Sequence, residues 1–94
     1  MGRRSLIDDA ERAERIELGR RLAVARKLAR LTQPDIAEAL GVHPSTVSRW
    51  EVGDGAPQAH LLGRFADLTG SAASWLLLGG DWRSRASELE LDAA

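Results

Sequence analysis

The chain has 94 residues, 44% of them hydrophobic and 29% charged, with a net charge of −1, which fits one compact domain with a modest core rather than a disordered chain. The absence of cysteine excludes disulfides, thiolate metal sites and cysteine nucleophiles, and His43 and His60 share no helix face with paired carboxylates, so no metal and no cofactor are expected. Nothing approaches about 18 consecutive apolar residues and the start MGRRSLIDDAER has no apolar signal-like core, so a cytoplasmic protein with no membrane partner is expected.

Strand signals are nearly missing, and the chain reads as all-α. In the first helical segment, Leu18, Leu22, Ala25 and Ala29 recur at spacings of four, three and four, one apolar stripe of a helix. The alternating charges from Asp8 to Arg15 make the front of this segment a solvated extension or an arm. Thr32 stands as an N-cap with Asp35 three positions on, where an acidic side chain favours the helix dipole. This second helix, about 33–40, stops at Gly41.

Val42 and His43 form a turn, and Pro44 opens a third helix at a position where its missing N–H costs nothing. That helix, about 44–51, ends near Gly53-Asp54-Gly55. Pro57 opens a fourth helix closed by Gly70. Ser71 is expected to cap a fifth short helix closed by Gly79-Gly80. The remainder reads as a tail of weak helical character, giving segments 1–16, 17–79 and 80–94.

The informative stretch is QPDIAEALGVHPSTVSRW, Gln33 to Trp50. Two short helices crossing steeply need apolar residues aimed into a shared core, and Ile36, Leu40, Val42, Val47 and Trp50 are spaced for this. They also need a small residue at the closest approach, supplied by Ala37, and a turn residue that tolerates positive φ, supplied by Gly41. This is a helix-turn-helix pattern. On its second helix Val47, Trp50 and Glu51 share the inward face, while Ser45, Ser48, Arg49 and Val52 lie about 200° away and form the exposed one. Hydroxyls beside one arginine suit base-edge contact, since arginine can bind guanine O6 and N7 in a bidentate fashion.

With Arg26, Thr32-Gln33, Trp50-Glu51, Gly53, Pro57 and the closing SAASWLLLGG, the chain resembles the Cro-like and lambda-repressor-like helix-turn-helix regulators of the XRE family over roughly Leu18 to Gly79. The resemblance implies a compact five-helix fold whose third helix enters the major groove of double-stranded DNA. It places Pro44, Ser45 and Arg49 where the family reads bases, with Thr46 as a flanking contact. Gln33 falls where a glutamine holds a phosphate and braces the recognition helix. It also implies an ion pair between Arg26 and Glu51. Glu51 needs such a partner on physical grounds, because it shares a face with Val47 and Trp50. Two positions depart from the pattern. Asp54 would repel the DNA backbone, and Pro44 offers only van der Waals contact, so part of the site is expected to be read by shape.

The remaining residues have plainer readings. Trp50 and Trp75 are expected in the core, and Trp82 either packs back or serves an interface. His43 is read as a cap or a phosphate neighbour, and His60 as a surface residue. Arg20, Arg21, Lys27 and Arg30 are read as solvated charges. Residues 1–49 hold ten basic and seven acidic residues, +3, and residues 50–94 hold three and seven, −4, so the basic excess lies with the motif. The expected function is a regulator, a repressor bound as a homodimer to a two-fold operator, with dimer contacts from the helical domain, the first 16 residues, or Trp82, Leu89 and Leu91. The alternative is an antitoxin whose acidic half neutralises a toxin partner while its motif represses its own operon. No enzyme is expected, for want of a nucleophile–base set, a phosphate loop or a metal cluster.

Overall fold

The computed structural model describes residues 2–79 and 82–93, with side chains from 8 to 79 and from 82 to 89. Gly80 and the Leu91 side chain, named above, lie outside the described residues. Six helices follow in order: α1 (Gly2–Leu28), α2 (Gln33–Leu40), α3 (Pro44–Glu51), α4 (Ala59–Thr69), α5 (Ala73–Leu78) and α6 (Trp82–Ala93). The described residues contain no strand, and none of these helices is long and apolar enough to cross a membrane.

Helix α1 is rich in Ala, Leu, Glu and Arg, all strong helix formers. Its forward part stands clear of the core, every side chain from Asp8 to Glu17 being exposed. It is laced by Arg12–Asp9 and Arg15–Glu11 pairs at 3.6 and 3.7 Å, one turn apart on the helix surface. The apolar stripe begins at Leu18 and buries Leu22 and Ala25. Helix α1 closes through Arg30, whose φ of 61° puts an arginine in the left-handed position that glycine usually fills.

Helices α2 and α3 form the steep pair. Thr32 caps α2, its Oγ1 accepting from Asp35 N at 3.1 Å while Asp35 Oδ2 accepts from Thr32 N at 2.9 Å, a reciprocal capping box. The Thr32 backbone N–H, and after it the Thr32 hydroxyl, hold the Asp35 carboxyl below its usual range. The cap therefore stabilises the fold above the ordinary carboxylate range and fades as pH falls through the lowered pKa. Gly41 ends α2 in the left-handed region at φ 73°.

One core joins five helices: Leu22 and Ala25 of α1; Ile36, Ala37 and Leu40 of α2; Val47 and Trp50 of α3; Leu62, Phe65 and Ala66 of α4; and Leu76 of α5. Two boundaries differ from the sequence reading. Pro57 precedes α4, which begins at Ala59 after Gln58. Ser71 does not cap α5; Ala72 is its N-cap, without a side-chain bond, because Ser71 still belongs to the end of α4, its N–H donating to the Ala66 carbonyl at 3.0 Å.

The segment read as a weak tail is a sixth helix lying along α1. Trp82 anchors it, with the guanidinium groups of Arg20 and Arg83 at 5.4 and 4.5 Å from its ring centroid, while Arg85 stands 4.6 Å over Trp75. The contacts of Arg20 with Trp82 and of Arg85 with Trp75 join different helices and supply a tertiary hold that the pattern of α6 alone does not. Arg21 also departs from its reading as a solvated charge. It is buried, and its Nε and Nη2 donate to the carbonyls of Leu76 and Leu77 at 2.7 and 2.9 Å, satisfying the open C-terminal end of α5.

Helix α1 reaches α3 through a glycine. A Cβ at Gly19 would clash with the Trp50 carbonyl oxygen and stand 2.7 Å from that of Glu51. Alanine inside a helix is ordinarily favoured over glycine by about 0.5–1 kcal/mol. Here the close approach reverses the sign, and Gly19→Ala should destabilise the protein by about 1–3 kcal/mol. Urea denaturation measures it; a neutral or stabilising result would mean the helices can part without cost.

Candidate nucleic-acid interface

Helix α3 begins at His43, whose Nδ1 accepts from Ser45 N at 3.1 Å and lies 2.8 Å from Ser45 Oγ. A ring nitrogen that accepts from a backbone N–H is unprotonated, so this geometry places the ring hydrogen of the neutral imidazole on Nε2. His43 thus caps the helix with one nitrogen and presents a donor outward with the other. Pro44 follows at the first helical position.

The phase of α3 sorts its side chains. Val47 and Trp50 are buried, while Pro44, Ser45 and Arg49 are exposed; Thr46 and Ser48 are half-buried at the borders. Ser45, Arg49 and the following Val52, 69% exposed, project from the side of α3 that no helix covers. The structure therefore brings Pro44, Ser45, Ser48 and Arg49 together on one short, outward helix face. Arg49 is not idle there. Its Nε donates to Asp54 Oδ2 at 3.2 Å.

The inward end of α3 is fastened by charge. Arg26 of α1 donates from Nε to Glu51 Oε2 at 2.6 Å and from Nη2 to Oε1 at 3.0 Å, and its Nη1 reaches the Leu31 carbonyl at 2.9 Å. Gln33, at the first position of α2, donates from Nε2 to Glu51 Oε1 at 3.0 Å. One carboxylate thus ties α1, α2 and α3 together. The pair is nearly dry, with side-chain exposures of 12% for Arg26 and 8% for Glu51, and both oxygens are satisfied. Gln33 braces α3 directly; one N–H of its amide is committed to Glu51, and its second N–H remains for another acceptor.

Arg64 is a residue the sequence reading passed over. Its Nη2 donates to the Ala39 carbonyl at 2.6 Å, closing the C-terminal turn of α2 from α4. A basic side chain opposite a helix end is too common a pattern to flag beforehand. Among the described residues no group of three or more His, Asp or Glu side chains is arranged to hold a metal ion.

A family model described as a helix-turn-helix domain matches residues 17–74. Among curated proteins, the HTH-type transcriptional regulator DicA of Escherichia coli (strain K12) is 30% identical over 66 residues, covering 70% of this chain and 49% of the relative. The chain therefore spans about half the length of the curated relative it matches. No solved structure matches.

Because a bidentate guanidinium meets a nearly dry carboxylate, Arg26→Ala should cost on the order of 3–5 kcal/mol, leaving Glu51 uncompensated beside apolar surface. Arg26→Lys should recover only part, since an ammonium cannot reproduce the fork. Chemical denaturation of the two variants checks this; a loss below about 1 kcal/mol for alanine would place the pair energetically among exposed ones.

Proposed function

Because the chain belongs to the helix-turn-helix domain family, with a helix pair of the XRE type, we propose that it is a sequence-specific, double-stranded-DNA-binding transcriptional regulator, a repressor that binds a two-fold operator as a homodimer. The observation that carries this reading is the exposed face of α3, where Pro44, Ser45, Ser48 and Arg49 stand together on a helix whose inner end is locked by Arg26, Glu51 and Gln33. A rigid helix with a short polar face fits the major groove, which admits an α-helix and presents a distinct donor and acceptor pattern for each base pair.

In this reading Arg49 takes a guanine edge, Ser45 and Ser48 offer hydroxyls to neighbouring edges, and Pro44 packs on a thymine methyl. Thr46, His43 through Nε2–H, and Gln33 face the phosphates and set the register. The net charge of −1 is no obstacle, since phosphate attraction acts locally and the half carrying the motif is +3. For the dimer, the end of α5 supports the reading, with Leu77 and Leu78 exposed at 52% and 85% beside the α1 extension.

Selection from random duplex DNA, followed by footprinting, tests the function. Two protected half-sites with centres about 34–36 Å apart, one helical turn, are expected for a two-fold dimer on one side of the duplex. Failure to enrich any sequence would overturn sequence-specific binding, and a single half-site per bound protein would overturn the dimer. On the enriched site, Arg49→Ala should weaken binding by about 1–3 kcal/mol and relax preference at one base pair per half-site. Unchanged affinity and preference in a titration would remove Arg49 from the reading surface.

A further inference from the structure

We propose that Asp54 is a specificity-determining residue, which positions Arg49 for one base and keeps it from the phosphates; the proposal rests on the DNA-reading role of Arg49 given above. At first sight an acidic residue directly after a recognition helix only opposes DNA. The structure gives it a partner. Asp54 Oδ2 accepts from Arg49 Nε at 3.2 Å, while the Asp54 backbone N–H donates to the Arg49 carbonyl at 2.8 Å. The same two residues are thus joined through side chain and main chain.

The loop holding the carboxylate is itself fixed. Gly53 adopts φ 83° and donates its N–H to the Trp50 carbonyl at 3.1 Å. A Cβ at Gly53 would lie 2.7 Å from Ile16 Cγ1 and 2.9 Å from Ile16 Cα, so the loop sits hard against α1. Arg12 and Arg15, which line the same groove as Asp54, are engaged on α1 by Asp9 and Glu11. Asp54 turns instead to Arg49.

Both partners are exposed, 64% for Arg49 and 71% for Asp54, so the pair contributes little to folding. Its consequence lies in what Arg49 can meet. With Nε occupied, the guanidinium keeps the four N–H groups of its two Nη atoms, and the outward edge still offers a parallel pair for guanine O6 and N7. A free arginine can instead swing to a phosphate. The carboxylate restrains that swing and adds a repulsion that every DNA backbone feels equally. The repulsion lowers binding to operator and random DNA alike, whereas the restraint lowers binding to random DNA more than binding to the operator.

The test compares the full chain, Asp54→Ala, Arg49→Ala and the double variant on the selected operator and on a random duplex across a salt series. Asp54→Ala should keep the thermal midpoint, bind random duplex more tightly, and steepen its salt slope by about one as Arg49 gains a phosphate. Its operator-to-random ratio should fall about fivefold or more, part of the discrimination one bidentate guanine contact supplies. The loss should map to the base pair that Arg49→Ala relaxes, and should vanish when Asp54→Ala is made in the Arg49→Ala background. An unchanged ratio, with both duplexes bound more tightly, would leave Asp54 a plain repulsive charge and overturn the proposal. Loss of ratio that persists without Arg49 would overturn it as well. If Arg49→Ala changes nothing, the reading of Arg49 falls and takes this role with it; if Arg49→Ala relaxes the base and Asp54→Ala does not, only the role of Asp54 falls.

Discussion

Arg26 and Glu51 lie 25 positions apart in the chain and meet in a two-pronged, nearly dry contact at the crossing of α1 and α3. Glu51 ends a helix whose inward side is otherwise Val47 and Trp50, so its charge has no cheap alternative partner. Gln33 brings the start of α2 to the same carboxylate. Any rotation or retreat of α3 breaks three hydrogen bonds at once and strands a charge. The orientation of the outer face therefore follows from a requirement of the inner one. Volume reinforces charge, because Gly19 lets the α1 backbone press on the carbonyls of Trp50 and Glu51, and that contact leaves no room for even a methyl group.

A second consequence of this joint is division of labour among arginines. Arg26 and Arg21 are spent inside the fold, the first on Glu51 and the Leu31 carbonyl, the second on the carbonyls that end α5. Arg64 closes α2 and Arg20 covers Trp82. A charge balance read along the chain does not show that these four also hold the fold. Only Arg26 has its charge matched, by Glu51; Arg20, Arg21 and Arg64 stay cationic, and Arg64 lies outside the half that sums to +3. Under the proposed function, selectivity rests more on the shape and few polar groups of α3 than on bulk attraction.

The helix pair was legible because its constraints are local. A capping threonine with Asp35, Gly41 at a left-handed turn and Pro44 at a helix start each act within a few residues, and the apolar spacing fixes which side of α3 turns inward. The exposure of Ser45 and Arg49 follows from that phase alone. What was not legible depends on contacts between distant segments. Helix α6 has a weak pattern of its own and is held by Trp82 against α1. Arg21 looks like any surface arginine until the end of α5 arrives beside it. Ser71 has the residue type of a cap, but its N–H closes the end of α4 and α5 starts one residue later. The end of α1 lacks a glycine because Arg30 takes the left-handed position, so nothing in the sequence marks it. Gly19 reads as a weak point in a helix and is a packing necessity.

The extension of α1 adds a constraint of another kind. From Asp8 to Glu17 it lies clear of the core, and Asp8, Glu11, Arg12, Arg15 and Ile16 wall a groove shared with Val52, Gly53 and Asp54, the loop that leaves α3. Within this stretch five acidic residues, Asp8, Asp9, Glu11, Glu14 and Glu17, outnumber Arg12 and Arg15. That excess is not gathered at α3: Asp8 and Glu11 share the groove with Arg12 and Arg15, so Asp54 alone leaves it acidic, while Glu14 and Glu17 lie toward Leu77 at the end of α5. The contact of Gly53 with Ile16 therefore matters for position rather than for charge, because it seats the one unbalanced carboxylate of the groove, Asp54, beside Arg49 at the end of α3.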